Sequence, residues 1–115
     1  MKYIKLREPT FFILTSLASG RKHGYLIIKD AEELSGGRVT LKVGTLYAAL
    51  ERLETEGLVV RVGDEAVDGR LRRYFDLTDD GALALASEAD RAENNAKVAR
   101  KSLAARPATG KAAMA

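Results

Sequence analysis

At 115 residues and with 46 % apolar content, the chain is the size of one domain and can bury a modest core without metals or disulfides. It has no cysteine and a single histidine, which excludes disulfides, thiolate zinc sites and a histidine-based metal cluster. A net charge of +3 is compatible with a nucleic-acid partner, and no apolar run approaches the ~20 residues of a membrane span.

The opening Met1-Lys2-Tyr3-Ile4-Lys5 is positive but has no apolar stretch behind it. No signal peptide is expected, and a cytoplasmic setting is. A first helix is predicted from Pro9 to Ser19, with proline in its first turn and Gly20 at its stop. Phe11, Leu14, Leu17 and Ala18 recur at helical spacing, and Phe12 and Ile13 widen the apolar face. Arg21 to Gly24 reads as a short basic turn. A second helix from Gly24 to Ser35 is apolar on more than one side and ends at Gly36-Gly37. The link from Gly37 to Lys42 alternates polar and apolar residues, as a partly extended segment would.

The third helix, Val43 to Glu56, is the most informative. Leu46, Leu50 and Leu53, with Ala49, form a core-facing stripe. Gly44, Ala48, Glu51 and Thr55 lie opposite, flanked by Tyr47 and Arg52. The helix opens with small, hydroxylated and basic residues and turns acidic only at its end, so an anion can approach its front but not its back. Gly57 is the expected stop. Two strands follow, Leu58 to Val62 and Leu71 to Leu77, separated by a polar loop from Gly63 to Arg70. Two strands alone are marginal and must lean on the helices. Thr78 then caps a fourth helix whose first turn carries Asp79 and Asp80, and which runs to about Ala105 before Arg106-Pro107. Residues 106–115 are expected to be a disordered tail.

The order helix, helix, helix, hairpin, helix describes a winged helix-turn-helix, a mainly α fold with a small β-hairpin wing. His23-Gly24-Tyr25, Gly44-Thr45-Leu46-Tyr47, Leu50, Arg52-Leu53-Glu54, Gly57-Leu58-Val59, Arg72-Arg73-Tyr74, Leu77-Thr78 and Gly81 occur in the order and spacing of one family. On these residues the chain resembles PadR-type transcriptional regulators over about residues 7–86. The resemblance implies a homodimeric, DNA-binding repressor of the short subgroup. Residues 1–78 would form the DNA-binding domain and 79–105 a single dimerisation helix. It also implies frequent control by a small aromatic or hydrophobic effector.

In a helix-turn-helix the second helix of the motif presents its leading residues to the major groove. Here that points to Thr40, Lys42, Gly44, Thr45 and Tyr47. Lys42 can neutralise a phosphate or donate to guanine, Thr45 can bond a phosphate or touch a thymine methyl, and Gly44 permits close backbone approach. Thr40 equally fits a turn cap, and Tyr47 a core aromatic. The resemblance adds Tyr25 as a backbone contact beside His23. Strand alternation prevents Arg72 and Arg73 from facing DNA together. Arg70 and Arg72 are therefore the expected wing contacts and Arg73 a structural residue. Asp64, Glu65 and Asp68 oppose a phosphate partner at the same loop.

Along the last helix Ala82, Ala89, Ala96 and Leu103 recur every seven residues, with Leu85, Ala92 and Ala99 three positions after the first three. This alanine seam buries little per residue, so the first helix, through Phe11 or Phe12, is expected to complete a dimer interface. An effector would lie between dimer helices; Phe11, Phe12, Tyr3 and Tyr74 are the available aromatics, and core packing is their first expected role. A symmetric dimer would read an inverted repeat. No nucleophile-base pair, phosphate-binding loop or metal spacing is present, so neither enzymatic activity nor a cofactor is expected. The alternative function is a winged-helix module that binds protein and not DNA.

Overall fold

The computed structural model describes residues 6–108. Its elements are α1 (Glu8–Ala18), β1 (Lys22–His23), α2 (Gly24–Leu34), α3 (Val43–Thr55), β2 (Val59–Val67), β3 (Arg70–Leu77) and α4 (Asp79–Ala104). The fold is a winged helix, mainly helical with a three-stranded antiparallel sheet in the order β1-β3-β2. Helix limits match the sequence reading to within about one residue. Tyr3 and residues 109–115 of the expected tail lie outside the described residues, and Arg106 to Ala108 carry no regular structure.

The core forms where α1, α2 and α3 meet the base of the sheet. Ile13, Leu14, Leu17, Ile27, Ala31, Leu46, Leu50, Leu53 and Phe75 are all buried. In α1 the helical stripe centres on Ile13, Leu14 and Leu17, while Ala18, expected on the apolar face, is exposed. In α2 only one side is buried; Tyr25 and Leu34 face outward. The link after α2 buries Val39 and Leu41 and exposes Arg38, Thr40 and Lys42, the expected alternation, without pairing as a strand. Ser35 Oγ accepts the Val39 amide at 2.9 Å and fixes the turn that aims α3. Helix α3 ends where Gly57 adopts φ +78° and the Leu58 amide donates to the Leu53 carbonyl at 2.9 Å. A left-handed residue at this position strongly favours glycine.

Two expectations about the sheet are corrected. The basic turn holds a strand: Lys22 and His23 pair with Phe75 and Tyr74 of β3. The Lys22 ammonium is drawn in by the Ser16 carbonyl, by Ser19 Oγ at 2.6 Å and by Asp30 at 3.5 Å, and this holds the segment against the sheet edge. The segment from Gly63 to Arg70 is also not a loop. After a bulge between Arg61 and Gly63, β2 continues to Val67, with Asp64 opposite Arg73 and Glu65 opposite Arg72. The turn is only Asp68-Gly69, both at positive φ (+50° and +76°). Asp-Gly is the residue pair that a two-residue hairpin turn of this hand prefers. Opposite charges across the ladder make the strand pairing favourable where the sequence suggested a solvated loop.

Helix α4 begins as expected: Thr78 Oγ1 accepts the Gly81 amide at 2.9 Å and donates to the Gly57 carbonyl at 2.7 Å. A Cβ at Gly81 would collide with the Leu58 carbonyl, so this glycine lets α4 start flush against the sheet. Its first turns rest on α1 and β3, and Leu85 is half-buried. From Ala89 onward every described residue is exposed, including Val98 (57 %) and Leu103 (65 %). The molecule is accordingly long, 67 × 32 × 21 Å.

Candidate nucleic-acid interface

Helix α3 is anchored on one side and bare on the other. Leu46, Leu50 and Leu53 are at most 1 % exposed, and Ala49 is buried with them. Lys42, Val43, Gly44, Thr45 and Ala48 are exposed. Lys42 is the residue before the helix, in extended conformation, and its side chain caps nothing. Its ammonium has no ion pair or hydrogen-bond partner among the described residues, while its carbonyl accepts the Leu46 amide at 2.9 Å. Thr40 is exposed and makes no side-chain hydrogen bond there either, so the turn-cap reading of it finds no bond to rest on.

Gly44 needs nothing from the protein itself. A Cβ built on it meets nothing within 4 Å, and its backbone is ordinary helix. Gly44 is the second residue of α3; in a helix interior glycine costs roughly 0.5–1 kcal/mol relative to alanine. No intramolecular contact accounts for it. Gly24 is the contrast: a Cβ there would sit 2.6 Å from the Tyr47 hydroxyl, so glycine makes room for that ring. Tyr47 is half-buried, and its ring lies 6.2 Å from that of Phe75. Its body packs in the core and its hydroxyl points toward the start of α2.

Tyr25 projects from the first turn of α2 and is 74 % exposed. Its ring runs nearly parallel to His23, at 6.4 Å and 10°. His23 in turn meets Tyr74 edge-on at 5.5 Å, and Arg21 lies 4.8 Å from the Tyr74 ring centre. Burial, and then the Arg72 guanidinium, hold the His23 imidazole below its usual 6.5, against the opposing pull of Glu65. The histidine is thus a neutral spacer in an aromatic ladder at neutral pH.

A groove of about 690 Å³ separates α2 and α3 from the wing, lined by Tyr25, Val43, Tyr47, Arg70, Arg72 and Arg73 among others. Arg70, Arg72 and Tyr74 alternate onto one face of β3, while Leu71, Arg73 and Phe75 share the other. All three arginines are exposed, and none forms an ion pair among the described residues. Arg73, expected to be structural, is exposed and lines the same groove. Tyr25, Tyr47, Arg70 and Arg72 are therefore gathered around one groove with Val43. Gly44 and Thr45, exposed in the first turn of α3, and Lys42 and Thr40, exposed just before it, do not line that groove. Asp68 also lines the groove, so its charge is mixed. Among the described residues no group of acidic or histidine side chains could hold a metal, and no helix is long and apolar enough to cross a membrane.

Residues 13–87 match the transcriptional regulator PadR-like family. The chain is 38 % identical over 76 residues to the transcriptional regulator Rv3488 of Mycobacterium tuberculosis, a match covering 66 % of this chain and 67 % of that protein. It is also 38 % identical over 86 residues (75 % of this chain) to an uncharacterised 37.1 kDa protein in a transposon of Streptomyces fradiae, but spans only 23 % of that protein's length. Among solved structures it resembles Bacillus subtilis PadR in complex with operator DNA, with TM-score 0.62 and 26 % identity, over 70 % of this chain and 46 % of that one. With its winged helix and a family match covering most of its length, this chain belongs to the PadR-like family of transcriptional regulators, a family of regulators and not of enzymes.

Proposed function

We propose that the chain is a sequence-specific DNA-binding regulator that inserts the leading end of α3 into the major groove. The observation that carries this is Gly44. It is a helix-weakening residue with open space beside it, on an exposed edge between an unpaired lysine and a threonine hydroxyl. Close approach by an outside partner gives such a glycine a purpose. Lys42 and Thr45 would contact phosphate or base edges, with Thr40 beside them. Tyr25 would reach the backbone from the start of α2, as would the Tyr47 hydroxyl, and Arg70 and Arg72 would do so from the wing. The operator-bound PadR of B. subtilis supports double-stranded DNA as the partner.

The bare half of α4 supports a homodimer. In proteins most of a helix's stability comes from packing of its apolar face. Val98 and Leu103 are left open. Ala92 lines a hollow of about 320 Å³ with Phe11 and Phe12. A second copy laid along the alanine seam and these rings would cover that surface. It would also set two α3 helices to read an inverted repeat with half-sites ~34 Å apart. A repressor released by a small aromatic or hydrophobic effector, acting in the cytoplasm, is the form of regulation we favour. Sedimentation equilibrium tests the dimer: the wild type should run as a dimer, and Ala96→Glu should shift it toward monomer.

Fluorescence anisotropy with duplexes from the region upstream of the protein's own gene tests the DNA reading. Expected is binding that weakens steeply with salt and prefers one sequence over random duplex. Flat anisotropy at low salt with every duplex would instead favour a protein-binding winged helix, the role that Asp64, Glu65 and Asp68 on the wing would suit.

A further inference from the structure

The hollow between α1 and α3, about 690 Å³, has a charge pattern unlike that of the wing groove. Arg7, Lys42 and Arg52 line it, and no carboxylate does. Other cations are neutralised within the chain: Lys22 by Asp30, Arg38 by Glu8, Arg61 by Glu54 and Lys97 by Glu93. Arg7 and Lys42 have no such partner among the described residues. The Arg52 guanidinium makes one long hydrogen bond, 3.4 Å, to the neutral hydroxyl of Thr10. Most of its five donors stay available. Glu8, the carboxylate nearest to Arg7 in sequence, is held by Arg38 at 3.1 Å and does not line the hollow.

Three like charges around one concavity repel one another, and an anion placed among them relieves that repulsion. The floor has the right shape for a bulky one. Helix α3 contributes Gly44, Thr45, Ala48, Ala49 and Arg52, a strip of small side chains ending in a guanidinium. Arg52 lies ~12 Å along the axis from Gly44, and helical side chains lean toward the N-terminus. Its fork is therefore carried back over the strip. Planar guanidinium groups match phosphate oxygens two at a time.

We infer that this hollow is a second DNA-backbone site, in which Arg7 and Arg52 clasp phosphates on the α1 side of α3, with Lys42 shared between the hollow and the helix tip. The inference rests on the DNA-binding reading above and adds to it: the duplex is gripped chiefly on the uniformly cationic α1 flank, and the mixed-charge wing is the weaker hold.

The test uses the full chain and a duplex that the wild type binds, titrated by anisotropy over a range of salt. Arg7→Gln and Arg52→Gln should each lower the slope of log K against log salt by about one unit, on cognate and random duplex alike, without changing the melting temperature. Arg52→Lys should restore most of the slope. A scan with single neutral methylphosphonates along each strand supplies a readout that loss of packing would not move. The wild type should lose affinity at a short run of backbone positions, and the Arg7→Gln/Arg52→Gln protein should become indifferent at those positions alone. Salt-dependent wild-type binding with an unaltered slope and scan in the variants would overturn the inference and leave the DNA reading standing. A lower melting temperature for Arg52→Gln with the slope intact would reduce Arg52 to a tie between α3 and Thr10, and would also overturn it. Absence of salt-dependent binding by the wild type to any duplex would remove the DNA reading itself, and the second site with it.

Discussion

On the inner face of α3, Leu46, Leu50 and Leu53 pack against α1, α2 and Phe75 with almost no surface left. On the outer face of the same helix, Gly44, Thr45 and Ala48 are exposed, and a methyl added at Gly44 would touch nothing. The inner residues are chosen for volume, and the outer ones for the room they leave. Stability and partner binding should therefore separate cleanly when the two faces are changed one at a time.

The largest effect is expected on the inner face. Leu50→Ala should lower the unfolding free energy by about 2–5 kcal/mol, because the side chain is fully buried in the core and its loss leaves a cavity there. Urea denaturation followed by circular dichroism measures this, and a neutral result would mean that the stripe is not the anchor. Next comes the junction that ties α4 to the head. Thr78→Ala removes the hydroxyl that accepts the Gly81 amide and should cost about 1 kcal/mol in the same assay. On the outer face Lys42→Ala should leave the melting curve unchanged and lower the salt slope of DNA binding by about one unit. A melting temperature that falls along with affinity would blur the distinction between the faces.

The smallest effect belongs to His23, which lines the groove beside the wing. Its imidazole is held below 6.5 in the folded chain, so the unfolded chain takes up a proton first as the pH falls. The stability that His23 contributes is fully present above pH 6.5 and is lost as the pH drops from there through its folded-state value. Melting temperatures from pH 7 to about 5 should fall more steeply for the wild type than for His23→Gln. Parallel curves would show that the aromatic ladder does not discriminate against the charged ring.

The helices were legible because each carries its own signals: apolar spacing inside, and Pro9, Gly57 or Thr78 at the ends. The leucine stripe of α3 follows from spacing alone. The two-residue strand Lys22–His23 was not legible, since nothing local marks it. It exists because β3 presents an open edge and Asp30 receives the lysine. The length of the wing is hidden in the sequence for a different reason. Asp68-Gly69 carried a hairpin signal, but Asp64 and Glu65 read as loop residues until the register set them opposite Arg73 and Arg72. The hollow with Arg7 and Arg52 depends on how α1 leans on α3, which no local pattern encodes.

One added methyl group gives the most direct test of the outer face. Gly44→Ala should keep the melting temperature or raise it slightly, since alanine favours the helix and meets no neighbour, while operator affinity in an anisotropy titration falls. Unchanged affinity in a protein of equal or greater stability would mean that DNA does not come against this edge of α3, and would contradict the account.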